Sequence, residues 1–357
     1  MGDFKLLINS ININKIIENV EKLVSIPSPT GNTKRASDFL VEFARKNNID
    51  FYVTNKKSVI YKFASEEKET KGICFAAHID TLGLMVKSVS NDSIKVSTIG
   101  GIPPIYAIGD YVTIEASDGN LYTGTILPDN PSAHVNKKLY DLVPNFDDSY
   151  VRVDFKFSDD DDIKNHIQIG DYLFLDPKFK YINGFIKTRF LDDKASCAIL
   201  INIAENLVNL QKDKKIKFKR PIYLYFNVTE ETGQGISGLP EIDELYIVDM
   251  GVVGNGVDGN EFSVSICYKD SSGPYNFELT KKLERLAKEN DIRYVKDIFP
   301  YYGSDGSAAL RSGADLKVAL FGVGVSSSHG YERTHEKGLL NTARLAASII
   351  DEFISIS

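Results

Sequence analysis

Over residues 14–23 apolar side chains recur at helical spacing, and the stretch "SIPSPTG" that follows must end that helix, because Pro27, Pro29 and Gly31 break it. A second helical pattern covers about 33–46. The period then changes. "SVIYKF" and "GICFAAHID" read as strands separated by a charged turn, the second apolar enough to be buried on both faces, as a central strand of an α/β sheet requires.

From about Val86 to Tyr181 the helical period almost disappears. Short alternating runs replace it ("YVTIEA", "LYTGTIL", "VRVDFKF", "DYLFLD"), punctuated by Gly, Pro and Asp. From Asp192 the α/β pattern resumes. A helix spans "DKASCAILINIAENLVNL", strands follow at "PIYLYFNV", "ELYIVDM" and "FSVSICYK", a helix covers about 277–288, and strand "LKVALFGVGV" precedes a closing helix. One α/β domain interrupted by a β unit explains this order better than two domains in series. The expected architecture is a mixed-sheet, three-layer α/β catalytic domain built from 1–85 and 182–357, with a small β-barrel-like domain inserted at 86–181.

Composition changes this picture little. With 357 residues, 43% hydrophobic and 25% charged, the chain can bury a sizeable core without staples and is long enough for two compact units. A formal net charge of -7 argues against a nucleic-acid partner, because phosphate binding needs clustered Lys and Arg. The one basic cluster, "KDKKIKFKR" at 212–220, reads as a solvated connecting loop. The acidic run at 159–162 lacks the alternation and bend of a calcium loop and reads as a solvated turn. Cys74, Cys197 and Cys267 sit among apolar or small neighbours, which suits buried reduced thiols. Without a long apolar run or a signal-like start, no membrane span is expected and the cytoplasm is the default compartment.

The chemistry-bearing residues gather where strands end and helices begin, which is where ligands bind in open α/β sheets. His78 and Asp80 follow "GICFAA", Glu230 and Glu231 follow "PIYLYFNV", Asp249 follows "ELYIV", Asp192 and Asp193 open the long helix, and His335 comes a short loop after "VALFGVGV". Each also has a plain structural explanation. His78 could be a hydrogen-bonded core residue, Asp192 or Asp193 an N-cap, the glutamates a hydrophilic turn, and Asp249 a strand terminator. Their conjunction is what counts: a His or a carboxylate at each of these separate ends is about the inventory two hard cations need.

The motifs "AAHIDTLGLMV", "LDDKAS", "TEETGQG", "VDMG" and "HGYERTH", in this order, resemble those of the glutamyl/tetrahedral aminopeptidase family of dinuclear metallopeptidases, which includes members once described as endoglucanases. "SIPSPTG", "PSAH" and "IQIGDYLFLDP" extend the resemblance over nearly the whole chain. It implies two divalent metal ions per subunit, zinc, cobalt or manganese being compatible with mixed N/O ligands. One would be held by His78, Asp192 and Asp249, the other by Asp192, Glu231 and His335. Asp80 would fix the His78 imidazole, and Glu230 would carry the proton. His329 competes with His335, which is favoured because it ends the "ERTH" element; His134 and His166 are not expected as ligands. Lys194 and Ser196 depart from the residues many relatives carry after the bridging Asp.

The resemblance further implies peptide substrates and a large homo-oligomer, up to a twelve-subunit particle assembled from dimers through the insert. Two alternatives stand beside it. A two-metal deacylase would usually carry an α/β lid rather than a β-rich insert. A glycoside hydrolase needs separated carboxylates and aromatic platforms, whereas Glu230 and Glu231 are adjacent and the chain has no Trp. The segment 251–274 is expected to shape part of the pocket, with both acidic and basic residues available to it.

Overall fold

The computed structural model describes every residue except 1–4, 66, 68, 69, 91, 92, 158–160, 215 and 357. Helix α1 (Ile13–Val24) starts where the Asn12 side chain accepts the N–H groups of Asn14 and Lys15, and it buries Ile16, Ile17, Val20, Leu23 and Val24 on one stripe. Helix α2 (Lys34–Asn47) stops at Asn48, whose φ of 55° is the left-handed conformation that favours Asn at a helix end. Helix α3 (Leu191–Lys214) follows the insert. Helix α4 (Phe277–Glu289) is capped by Asn276, helix α5 (Asp305–Arg311) by a Ser304–Ser307 capping box, and helix α6 (Glu336–Asp351) by the His335 side chain.

The helices pack on a 12-stranded mixed sheet. Its centre is parallel: Ile222–Asn227, Gly72–His78, Ile242–Val248 and Lys317–Ser326 lie side by side in that order. These strands are almost wholly buried, as their continuous apolar runs require. One face carries Phe75, Ala77, Leu224, Phe226, Tyr246 and Phe321 into a core shared with α1, α2, α3, α4 and α6. The other face packs Cys74, Ala76, Tyr225, Ile247 and Leu320 against α5 and the loops. The result is the expected three-layer α/β arrangement. All three cysteines are buried and free.

Between the two halves the chain closes a barrel of six antiparallel strands, in the order Gly83–Ser90, Ser93–Ile99, Ser149–Val153, Leu121–Pro128, Tyr111–Glu115 and Tyr172–Leu175. It begins at Gly83, ahead of Val86. Its interior holds Leu84, Val86, Ile94, Val96, Ile114 and Leu173. Closure leaves no free edge inside the unit. A buried ion pair joins it to the sheet domain: Arg189 donates to the Asp110 carboxylate, which also accepts the Tyr331 hydroxyl.

Most of the described residues of the basic cluster at 212–220 lie in a helix or a strand rather than a loop. Helix α3 runs on to Lys214, and Ile216–Phe218 forms a strand paired with Ile354–Ile356, because Ile216 and Phe218 alternate inward with the lysine outward. Lys215 lies outside the described residues, as do Asp159 and Asp160 of the acidic run. Asp161 of that run bonds the His166 ring, whose other nitrogen faces Asp118 on the barrel.

Candidate active site

Three neighbouring parallel strands deliver the first groups. The register sets Asn227 beside His78 and Ile247 beside Ala76, so the chain reaches Glu230, His78 and Asp249 at one end of the sheet. At Asp249 the fit is close. A Cβ on Gly322 would lie 1.4 Å from the Asp249 carbonyl oxygen, so only glycine permits the approach there. Helix α3 supplies the fourth element, and its first turn is irregular: Asp192 (ψ 102°) and Asp193 depart from helical angles, which turns both carboxylates toward His78.

Asp192 occupies the middle of the cluster. Its Oδ1 lies 3.1 Å from His78 Nε2. Its Oδ2 lies 3.6 Å from His329 Nε2. The two oxygens of one buried carboxylate therefore face two different imidazoles. Glu231 Oε2 is 3.6 Å from His329 Nε2, and Glu230 Oε2 is 3.7 Å from His78 Nε2. The adjacent glutamates differ in access: the Glu231 side chain is 3% exposed and that of Glu230 is 18% exposed, so Glu230 faces the opening. His78, Asp192 and Glu231 offer ligand atoms within 4.8 Å of one another, and so do His78, Asp193 and Asp249.

Asp80 stands behind this cluster and is fully buried. Its carboxylate accepts the Glu230 N–H at 3.2 Å, the Glu231 N–H at 3.3 Å and the Thr30 hydroxyl at 2.7 Å. The Thr30 contact gives "SIPSPTG" a physical purpose. Toward His78 the Asp80 carboxylate is 3.6 Å from Nδ1, whereas the Asp80 backbone carbonyl is nearer at 3.1 Å. Nδ1–H donates to that carbonyl, which leaves Nε2 directed at Asp192. Asp80 thus orients the imidazole through its main chain and the glutamate pair through its side chain.

The expectation for His335 is corrected. Its strand pairs with Phe185–Thr188 in a register that puts His335 opposite Phe185, and its ring packs between Phe185 and Phe262. Its Nδ1 accepts the Lys337 N–H at the start of α6. His329 takes the place at the cluster instead. Its φ of 64° is a left-handed conformation that a non-glycine residue keeps only when its surroundings hold it. They do so here: its N–H donates to Glu332 Oε1 at 3.0 Å, and its Nδ1 lies 2.8 Å from the Gly101 carbonyl oxygen.

Two further residues belong to the cluster: Glu332, which the sequence did not single out, and Asp193, a candidate at the start of the long helix to which no role was given. Glu332 is buried, and its Oε2 accepts the Asp192 N–H at 3.1 Å while Oε1 holds His329, so one carboxylate fixes both backbones. Nothing in a lone Glu at the start of a strand signals this. Asp193 accepts the His78 N–H through Oδ2, while its buried Oδ1 has no hydrogen-bond partner among the described residues. His134 and His166 lie in the inserted unit, away from these residues.

A family model described as M42 glutamyl aminopeptidase matches residues 57–345. The chain belongs to that family. YhfE of Bacillus subtilis, described as a candidate aminopeptidase, is 37% identical over 339 residues, covering 94% of this chain and 96% of that one. The TET aminopeptidase of a marine sediment Thaumarchaeota archaeon superposes with a TM-score of 0.82 at 18% identity, over 94% and 97% of the two chains. The Pyrococcus horikoshii TET1 peptidase, described as assembling into a tetrahedron or a large octahedral shell, gives 0.80 at 20% identity, over 94% and 99%. At these identities the likeness of the solved structures is one of fold. The family is one of peptidases, which places the chain among hydrolases acting on peptides.

In this M42 chain the cluster is strongly electronegative. Burial, and then the neighbouring negative charges, push Glu230, Glu231 and Asp193 well above the usual carboxylate range. Burial and the Asp192 charge push Asp249 up to about 7. For His78, burial alone would lower the imidazole, but Asp192 and Asp80 hold it well above its ordinary value. The cleft over these groups, about 510 Å³, has no Lys or Arg among the described residues that line it. Crowded carboxylates, an orphaned Asp193 oxygen and two imidazole nitrogens aimed at one carboxylate form a donor set that fits divalent cations.

Proposed function

We propose that the protein is a metal-dependent aminopeptidase that releases N-terminal residues from short peptides. The observation that carries this reading is the Asp192 carboxylate, whose oxygens face His78 on one side and His329 on the other. A bridging ligand between two cations would stand in such a position. His78, Asp192 and Asp249 would hold one divalent ion and Asp192, Glu231 and His329 the other, with zinc, cobalt and manganese all suited to the donors. When bound, paired ions lower the pKa of a water and polarise the scissile carbonyl.

The chain's own residues do the rest. Glu230, exposed to the cleft and held through its N–H by Asp80, takes a proton from the attacking water and returns it to the departing amine nitrogen as the C–N bond breaks. Asp80 and Glu332 are positioning residues, since they reach the reacting groups only through others. A carboxylate-rich centre also favours the positive charge of a free N-terminus. Aminoacyl anilides should therefore be hydrolysed, with activity lost in chelator and restored by a divalent ion. An N-acetylated peptide should be cut far more slowly than its free counterpart in a mass-spectrometric time course. Full activity in exhaustively stripped protein sinks the metal reading, and comparable rates on the acetylated peptide favour a deacylase.

The barrel is proposed as an assembly surface rather than part of the chemistry. It leaves Tyr111, Leu121 and Ile169 exposed, and the described TET1 relative forms closed shells. A homo-oligomer built from dimers is expected in light scattering at micromolar concentration, and a monomer peak there counts against it.

A further inference from the structure

The wall of the cleft that carries no metal-type donor is largely apolar. Met250 and Val252 come from the segment leaving the Asp249 strand, Tyr301 and Tyr302 from the turn before α5, and Pro103 from the loop after the second barrel strand. The Tyr302 hydroxyl donates to the Met250 carbonyl at 3.1 Å, so its polar atom is spent on joining two parts of this wall. The Tyr302 carbonyl is in turn held by the N–H and hydroxyl of Ser271, and its ring packs on Phe299. The acidic residues lining the cleft are Asp192, Glu230, Glu231 and Asp249, all occupied in the proposed chemistry, and no Lys or Arg lines it among the described residues.

Resting on the aminopeptidase reading, we propose that the protein selects neutral, apolar N-terminal residues, of the leucine, methionine or phenylalanine type, and rejects acidic ones, with Val252 and Tyr301 as specificity-determining residues. A carboxylate side chain lying against this apolar wall would leave water without finding a Lys or Arg among the described residues that line the cleft. A lysyl side chain would find no carboxylate free of other duties. An apolar side chain leaves no polar group unpaired on entry, which is what separates it from a charged one here.

The test is a panel of leucyl, methionyl, phenylalanyl, glutamyl and lysyl anilides with the metal-loaded protein. The kcat/KM for the best apolar substrate should exceed that for glutamyl and lysyl by about 100-fold or more. Free leucine should raise the melting temperature more than free glutamate at equal concentration. Val252→Arg should narrow the leucyl-to-glutamyl ratio by about 10-fold or more, and Tyr301→Arg should shift it the same way; Tyr301 is 98% exposed, so that variant does not threaten the fold. Glutamyl or lysyl anilide cleaved as fast as leucyl overturns the proposal, as does an unchanged ratio in both variants. Failure to cleave any anilide refutes the aminopeptidase reading itself, a result distinct from cleavage with the wrong preference.

Discussion

Glu230→Gln is expected to lower kcat by about 10²–10⁴-fold, the usual contribution of a general acid–base group, while bound metal stays near the wild-type amount. The substitution keeps the shape of the side chain and the N–H bond to Asp80, and removes only the ability to take and return a proton. Glu231→Gln should behave differently. Its side chain is 3% exposed and sits 3.6 Å from His329, so losing its charge should lower metal occupancy as well as turnover. The division follows from access, since the Glu230 side chain is the more exposed of the pair. Elemental analysis of both variants beside single-turnover kinetics separates the two roles. Equal metal loss in both would mean that the roles of the glutamates have been misassigned.

His329→Ala is expected to lower metal affinity by at least about 100-fold, since the loss of residues that merely orient a ligand already costs 10–100-fold. Activity should fall with occupancy. His335→Ala should instead destabilise the fold by about 1–3 kcal/mol, through loss of a helix cap and of two aromatic contacts, and leave the metal content of the folded protein unchanged. The contrast rests on placement: His335 caps α6 between Phe185 and Phe262, whereas His329 Nε2 faces Asp192 and Glu231. Calorimetric metal titration and denaturant unfolding on the two variants decide it. A His335 variant that folds normally yet binds one ion fewer would return His335 to the site.

Local patterns made much of this molecule legible. An apolar run ending abruptly in His78 or in Asp249 marks the carboxyl end of a buried strand, because the fully buried part of a central strand rarely carries an unpaired charge. The loss of helical period after Met85 revealed the interrupting β unit for the same kind of reason, and the structure closes it into a barrel. The tract at 212–220 misled, since its lysines suggested a loop while its alternating Ile216 and Phe218 had a strand partner only in the C-terminal residues, Ile354–Ile356.

What only the tertiary structure decided are the contacts between residues far apart in sequence. "HGYERTH" offers two histidines, and nothing in the seven residues tells which one turns to Asp192; the register of Glu332–His335 against Phe185–Thr188 commits His335 to the aromatic pair. Glu332 likewise acquires its place only when its strand and the start of α3 come together, so that one carboxylate can hold the N–H groups of Asp192 and His329. Sequence periodicity reports where each element ends, a matter of neighbours a few residues away. Strand order and register determine which ends meet, and those depend on long-range packing that no local pattern contains.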